Sequence, residues 1–446
     1  MKKFKRRPLH LIQLIFCSIL LMPFKVFCGT FTVNYNTDAS ITSASSNTLR
    51  WAINQVNATS GPNTISFAIS GSPPYIINLI DELPDIINQV TINGSNSGSD
   101  VIIGGNLSGS AFNISNAFGC LVFVGPGSEG SVVENLEFKY FSTAIYVEDN
   151  NNCSGINVGI YNNLFYNNDL DIELAANNCI VMQNTFQKDA TDINIPQGLY
   201  EGMSGVFVHR MSNVPLNATN MIGAVTSTAS YPNTFENVQG GAIIIENSDG
   251  NILRENFITQ STDPCASGSA SLPPIILNGD VWTPQGNTGL GAPVISDIGL
   301  TYVSGRAPST ADTVFVYNAS CCQCANTYLG YTIPVSGGNW SLTGLSGLGT
   351  TVTAVCRDAS GNSSSLGSLI CGTFKPIVID QSGGCGTPVI LSTTGHFSYY
   401  NWSKNGSSLG VSTPTLTTSG PGNYTVLVNS GGGTTCPSTS DAVTIY

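Results

Sequence analysis

Charge is scarce in this chain. Only 9% of its 446 residues are Asp, Glu, Lys or Arg, where about a quarter is usual. It has three His, six Met and four Trp. Motifs are scarce as well. No phosphate-binding loop or H-E-x-x-H occurs, and the G-x-S-x-G match, Gly406 to Gly410, sits in a strand-and-turn run with no helix pattern after it, so serine hydrolase, nucleotide-dependent and zinc protease chemistries lack support. Helical periodicity is nearly missing. In "NTLRWAINQVNATSGPNTISFAIS", Leu49, Ala52, Ile53 and Val56 fall at helical spacing, with Asn47 as a cap and Gly61-Pro62 as a stop. Almost everything after it reads as strands and turns. The 48 glycines and the abundance of Asn, Ser and Thr fit a turn-dense all-β protein.

What positive charge exists is concentrated at the start. Lys2, Lys3, Lys5, Arg6 and Arg7 precede an apolar run from Leu9 to Met22, and Pro23 to Cys28 lead into Gly29. This is the layout of a secretory signal peptide over residues 1–28, too short for a membrane span; no later stretch is apolar and long enough to be one. Its removal takes six of the 15 Lys and Arg and leaves nine against 27 acidic residues, a net charge of −18. Such a surface repels phosphate backbones and excludes nucleic acid as a partner. Neutral glycans and cations remain compatible. Export makes disulfides permissible, and the 11 cysteines beyond the leader are an odd number, so one thiol is left over or pairs with another chain.

From about residue 62 to 262 the chain repeats itself. "ENLEF", "YNNLF", "MQNTF", "PNTF" and "RENFI" place Phe138, Phe165, Phe186, Phe235 and Phe257 at steps of 27, 21, 49 and 22. The long step is about two short ones plus an insertion. A period in the low twenties with strands and turns in each unit marks a β-solenoid. Asn135, Asn163, Asn184, Asn233 and Asn256 recur before the Phe positions. Asn tolerates left-handed backbone and can bond its counterpart one repeat above, so these read as turn and ladder residues. The lone helix then has a use: with Leu49, Ile53 and Val56 facing inward, it covers the open first edge of the stack.

The segment "TLRWAINQVN…GPNTISFAIS…LPDIINQVTINGSN…VIIGG" resembles the opening of exported bacterial right-handed parallel β-helix proteins, whose start reads "SLR-AI--AN", then "I-F", then "LP-I---V-I-G". Thr48 stands where Ser is usual and Trp51 sits inside the motif. The likeness covers about residues 30–260 and implies a right-handed parallel β-helix over residues 29–265 with an N-terminal capping helix. It implies little chemistry, because that group mixes adhesins and polysaccharide-active enzymes.

Residues 266–291 read as a linker rich in Pro and Gly. Residues 292–372 read as a β-sandwich, and "GNWSLTGL" and "RDASGNSSSLG" resemble bacterial immunoglobulin-like modules. In that pattern a C--C pair precedes "YLG", as Cys321 and Cys324 precede "TYLG" here. For Cys321, Cys322, Cys324 and Cys356 a disulfide is preferred to zinc, because no second C-x-x-C pair follows and the export route is oxidising. Residues 380–446 form a second sandwich, with Cys385, Trp402 and Cys436 in Cys…Trp…Cys order. "YYNWSKNG" and "GPGNYTVLVNSGG" resemble immunoglobulin-like or PKD-like repeats of Bacteroidetes surface proteins. Trp402 is expected in its core. Val426 stands where such domains carry the second Cys, so an inter-sheet disulfide is replaced at most by a Cys385–Cys436 link.

Candidate site residues come from alternation. In "NNDLDIELAA", Asp169, Asp171 and Glu173 are expected on one strand face, with Leu170, Ile172 and Leu174 on the other. Three carboxylates on one face suit calcium, or acid and base roles on a glycosidic bond; an ordinary solvent-facing row has the same pattern. Arg210, beside His209, is the candidate base for a lyase, against an ordinary surface pair within an inserted segment. Glu148, Asp149, Glu246 and Asp249 sit near turns. The expectation is a secreted or cell-surface binding and adhesion protein for glycans or other surfaces. The alternative is a polysaccharide lyase or hydrolase with accessory binding sandwiches.

Overall fold

The structure is a computed structural model of the whole chain. It describes residues 28–445 except 39–45, 97, 106–118, 149–155, 189–203, 210–218, 224–230, 239–240, 260–274, 279–285, 300, 320–323, 347, 349–350, 368–369, 372–377, 381–388, 394–398, 419, 430–436 and 441. Residues 1–27 of the expected leader, Asp149, Arg210, Cys321, Cys322, Cys385 and Cys436 therefore lie outside the described residues.

The first two thirds is built from three long parallel sheets, of eight, six and eight strands, which the chain visits in rotation. One circuit runs Gly159–Tyr161, Leu164–Tyr166 and Leu170–Ala175, and the next runs Ile180–Met182, Thr185–Gln187 and Ser204–His209. Each strand pairs in parallel with its counterpart one circuit away: Ile160 with Val181, Phe165 with Phe186, Ile172 with Val206. Parallel strands need crossover connections, and here the other two sheets are the crossover.

Because equivalent positions stack, each inward residue rests on its own kind. Phe138, Phe165, Phe186 and Phe235 are fully buried, with successive ring centroids 5.2, 5.0 and 4.4 Å apart and planes within 12°. The fifth expected member, Phe257, is not in the column. Phe235 pairs with Ile258, while Phe257 pairs with Thr234 and is only half-buried. The strand is one residue out of phase with the sequence repeat, and a shift of one turns a side chain to the other face.

The asparagines form a second column. Asn163 Nδ2 donates to Asn184 Oδ1 at 3.1 Å, Asn184 Nδ2 to Asn233 Oδ1 at 3.2 Å, and Asn233 Nδ2 to Asn256 Oδ1 at 3.0 Å. Oδ1 atoms of the column also accept backbone N–H groups: Leu136 N donates to Asn163, Asn163 N to Asn184, and Asn184 N to Asn233. A buried amide left unpaired costs about 1–3 kcal/mol; in this column each meets a partner. Asn135 is not a member, since Leu136 holds its place. Asn135 has left-handed backbone (φ 59°) and joins an outer row, taking a bond from Asn162 and donating to Asn93. A third column links Asn220 to Asn251 at 3.1 Å and Asn251 to Asn287.

The helix Leu49–Ala58 closes the first end. Thr48, not Asn47, is its cap, its side chain accepting from Trp51 N at 3.3 Å. Asn47 instead takes a left-handed φ of 65° and donates to Asn34. Leu49, Ala52, Ile53 and Val56 pack into the same apolar cluster as the sheets. Arg50 is buried too. Its Nε and Nη2 grip Asp38 at 2.9 and 2.6 Å, and its remaining donors reach the carbonyls of Asp81 and Glu82. The first rung is Thr30–Val33, which precedes the helix and pairs with Asn63–Phe67.

The segment read as a linker is partly structural. Ile275–Asn278 adds a sixth strand to the six-stranded sheet, and Asn287 extends the third amide column. Beyond it, two antiparallel sheets of three and four strands span Val294 to Cys371 and share one apolar cluster, which includes Ile295, Val303, Val314, Trp340 and Val352. This unit also caps the parallel stack. Ile258 and Ala325 exchange backbone hydrogen bonds at 2.9 and 3.1 Å, Asn362 Oδ1 accepts from Gly250 N, and Ser363 Oγ accepts from Leu253 N. Val355 of the unit enters the core of the stack. The last strands of the two eight-stranded sheets are thus capped, as an unpaired strand edge requires. Two further antiparallel sheets span Val378 to Ile445 around Trp402, Tyr424 and Val426, all fully buried. Cys324 is disulfide-bonded. Cys356 is a free buried thiol, so it belongs to neither the bridge nor the zinc cluster considered above.

Candidate functional site

The three alternating carboxylates do not share a face. The strand Leu170–Ala175 begins just past a corner at Asn167, whose φ is 53°. At such a corner strict alternation is broken, and Asp171 and Ile172 are both fully buried. Asp171 turns into the interior, where Lys188 Nζ donates to its two oxygens at 2.9 and 3.0 Å and Asn168 Nδ2 donates at 2.9 Å. Asp169 is half-buried, and its Oδ1 has no hydrogen-bond partner. Burial, together with the charge of Asp171 and against that of Lys188, pushes its carboxyl up to about 6. Glu173 alone faces outward. The trio is therefore not a calcium site: Asp171 is saturated by an ammonium group. No group of three or more His, Cys, Asp or Glu among the described residues is placed to hold a metal ion.

What the structure does assemble lies on the outer face of the six-stranded sheet. Pairing puts Val122, Tyr146, Glu173, Phe207, Ile244 and Ile276 in one row across it. The neighbouring row carries Glu148, the small Ala175, His209 and Glu246, with His209 paired directly to Glu246. His209 Nε2 donates to Glu173 Oε1 at 2.9 Å, and its ring stacks on Phe207 at 4.8 Å with planes 19° apart. Both partners of the bond are about one-fifth exposed, 20% and 23%. Burial first, then Asp85 and Glu173, raise the Glu148 carboxyl above its ordinary value, while His209 opposes the shift. The Tyr146 phenol is pushed up to about 12 by burial and by Glu148 and Glu173, so it stays a neutral donor.

This arrangement offers hydroxyl, carboxylate and imidazole groups interleaved with aromatic and aliphatic faces on a rigid sheet. Of the residues singled out in the sequence, Glu173, His209, Glu148 and Glu246 belong to it, and Asp169 and Asp171 do not. Tyr146 and Phe207 were not singled out. The signal was present in the alternation shared by "TAIYVED", "LDIELAA" and "SGVFVHR", because stacking in register brings the same phase of each run to one row.

The chain matches no protein-family profile and no curated protein. Among solved structures it is similar to the human OSCAR ligand-binding domain, at 16% identity and a TM-score of 0.16, over 34% of this chain and 97% of that one. No helix among the described residues is long and apolar enough to cross a membrane.

Proposed function

We propose that this is an exported, surface-displayed binding protein, and that the outer face of its six-stranded sheet holds a glycan. In this reading the three-sheet winding is a right-handed parallel β-helix, the antiparallel units are immunoglobulin-like modules, and residues 1–28 direct export. The observation that carries the proposal is the row Tyr146–Glu173–Phe207 with His209 behind it. Aromatic faces offer pyranose rings an apolar surface, and the flanking carboxylates and imidazole offer hydrogen bonds to hydroxyls. A chain with so few cations is suited to neutral or amino sugars rather than to acidic polysaccharides.

One observation favours a second reading. Burial raises the Glu148 carboxyl above its ordinary value, with Asp85 and Glu173 adding to the shift, so Glu148 is suited to hold a proton as a general acid on this face. Calorimetric titration against a panel of neutral and amino-sugar polysaccharides tests the first reading. Binding is expected, and Phe207→Ala should weaken it about tenfold, or ~1.4 kcal/mol. A reducing-sugar assay on the same panel tests the second. Turnover that disappears in Glu173→Gln replaces the binding protein with a glycoside hydrolase.

A further inference from the structure

Lys188 is a buried cation that neither the fold nor the surface face explains. It follows Phe186 by two, so alternation aims it inward, and its side chain is 1% exposed. Its backbone is held by a bond to Glu236 O, and Nζ also donates to Asn168 O at 2.6 Å. Nζ lies almost equidistant from the two oxygens of Asp171, at 2.9 and 3.0 Å. With ordinary carboxyl geometry this leaves the carboxyl carbon ~3–3.5 Å from the nitrogen, within reach for bond formation once the amine turns over the carboxyl plane. Asn168 fixes one of those oxygens by its own bond to Oδ1. Asp169 stands beside the pair, close enough to interact electrostatically with both charges, with one carboxyl oxygen buried and unbonded.

We propose that Lys188 and Asp171 condense into an intramolecular isopeptide bond that staples one circuit of the parallel stack to the next. Burial raises the Asp171 carboxyl and so favours its neutral acid; passing a proton from the ammonium to that carboxylate gives the amine and acid that react. The lone pair of Nζ attacks Cγ of Asp171, and a C–N bond forms. Asp169, as its acid, delivers a proton to the departing oxygen; the C–O bond breaks and one water leaves. Asp169 regains a proton from Nζ. An ammonium and a carboxylate become an amide and water, with no oxidant and no other reactant consumed. The product removes two charges from a dry interior, where an ion pair is costly to keep. The bond joins the strand Leu170–Ala175 to the end of Thr185–Gln187.

Mass spectrometry of the reduced full chain decides the matter. The expected mass is one water below that of the sequence. Trypsin, which cuts after free lysine, should fail at Lys188 and leave residues 140–210 as one peptide. A protease specific for glutamate should then cut at Glu173 and release a branched species in which the Asp171 and Lys188 fragments remain joined. Lys188→Met should restore the missing water. In Asp169→Asn the bond should form in a small fraction of molecules; full yield in that variant would refute the proton-transfer role of Asp169. Folded wild-type protein that yields an unmodified tryptic peptide ending at Lys188 overturns the proposal outright, whichever way the glycan assays fall.

Discussion

The parallel stack and the antiparallel units bury polar groups in opposite ways. Inside the stack, Asn163, Asn184, Asn233, Asn220 and Asn251 are almost fully buried, as are Asp171 and Lys188. Inside the unit around Trp402, the core is Leu391, Tyr400, Trp402, Leu416, Tyr424, Val426 and Val428, and the polar tips of its aromatics reach outward: Trp402 Nε1 donates to Thr413 O and Tyr424 Oη to Gly420 O. The difference follows from translation. In a stack each circuit repeats the one below, so an amide always finds an identical amide about one strand spacing, ~4.8 Å, away. A packed pair of antiparallel sheets has no such repeat, and a buried amide there needs a partner of another kind, as Asn362 finds in Asp358 and the Gly250 N–H.

That contrast can be broken experimentally. The largest effects should come from the columns themselves. Phe186→Ala removes a ring between two others and should cost about 3–5 kcal/mol, and Trp402→Ala a similar amount. Their reach should differ. Calorimetry and hydrogen exchange should show the Phe186 change lowering the melting of the whole stack, and the Trp402 change melting only residues 378–445. A shared transition for both would erase the contrast.

Arg50→Ala should come next. It leaves Asp38 buried beside no cation and should destabilise by about 3 kcal/mol, with exchange first appearing at the Thr30–Val33 end. Asn184→Ala should cost about 1–3 kcal/mol, because Asn163 and Asn233 each lose a partner, and the loss should exceed that of any exposed Asn.

The smallest effect is a pH dependence. The Asp169 carboxyl is raised from 3.8 to about 6 in the folded chain, so folding favours its protonated form. Stability should be full below pH about 4 and fall as pH rises toward 6. The group is partly exposed, so the loss should be about 1 kcal/mol or less. Denaturant midpoints should show it in wild type and not in Asp169→Asn.

The winding was legible in the chain because its signal is repetition, as in Phe138, Phe165 and Phe186 at steps of 27 and 21; the 49-residue step to Phe235, expected to hold about two repeats, is a single circuit, since Phe186 pairs directly with Phe235. The same rule misled at Phe257. "RENFI" looks like "YNNLF", but the bond from Asn233 to Asn256 sets the register there, and Ile258 takes the ring's place. The candidate site was half legible. Glu173 and His209 were visible as residues, but which carboxylate faces out depended on where the corner falls, and a left-handed Asn167 looks in the sequence like any other asparagine.

Composition and periodicity were enough to set the all-β class, the polar columns and the covering helix, since local backbone preference and repeated burial are written residue by residue. The pairing of Arg50 with Asp38, of Lys188 with Asp171 and of Glu173 with His209 was not. Each joins positions 12 to 36 apart in the chain, and such partners are chosen by the register in which circuits come to rest on one another. The cap at the far end has the same origin. Gly250 and Asn362 are 112 residues apart, and no local pattern states that a later antiparallel unit will close an earlier parallel one.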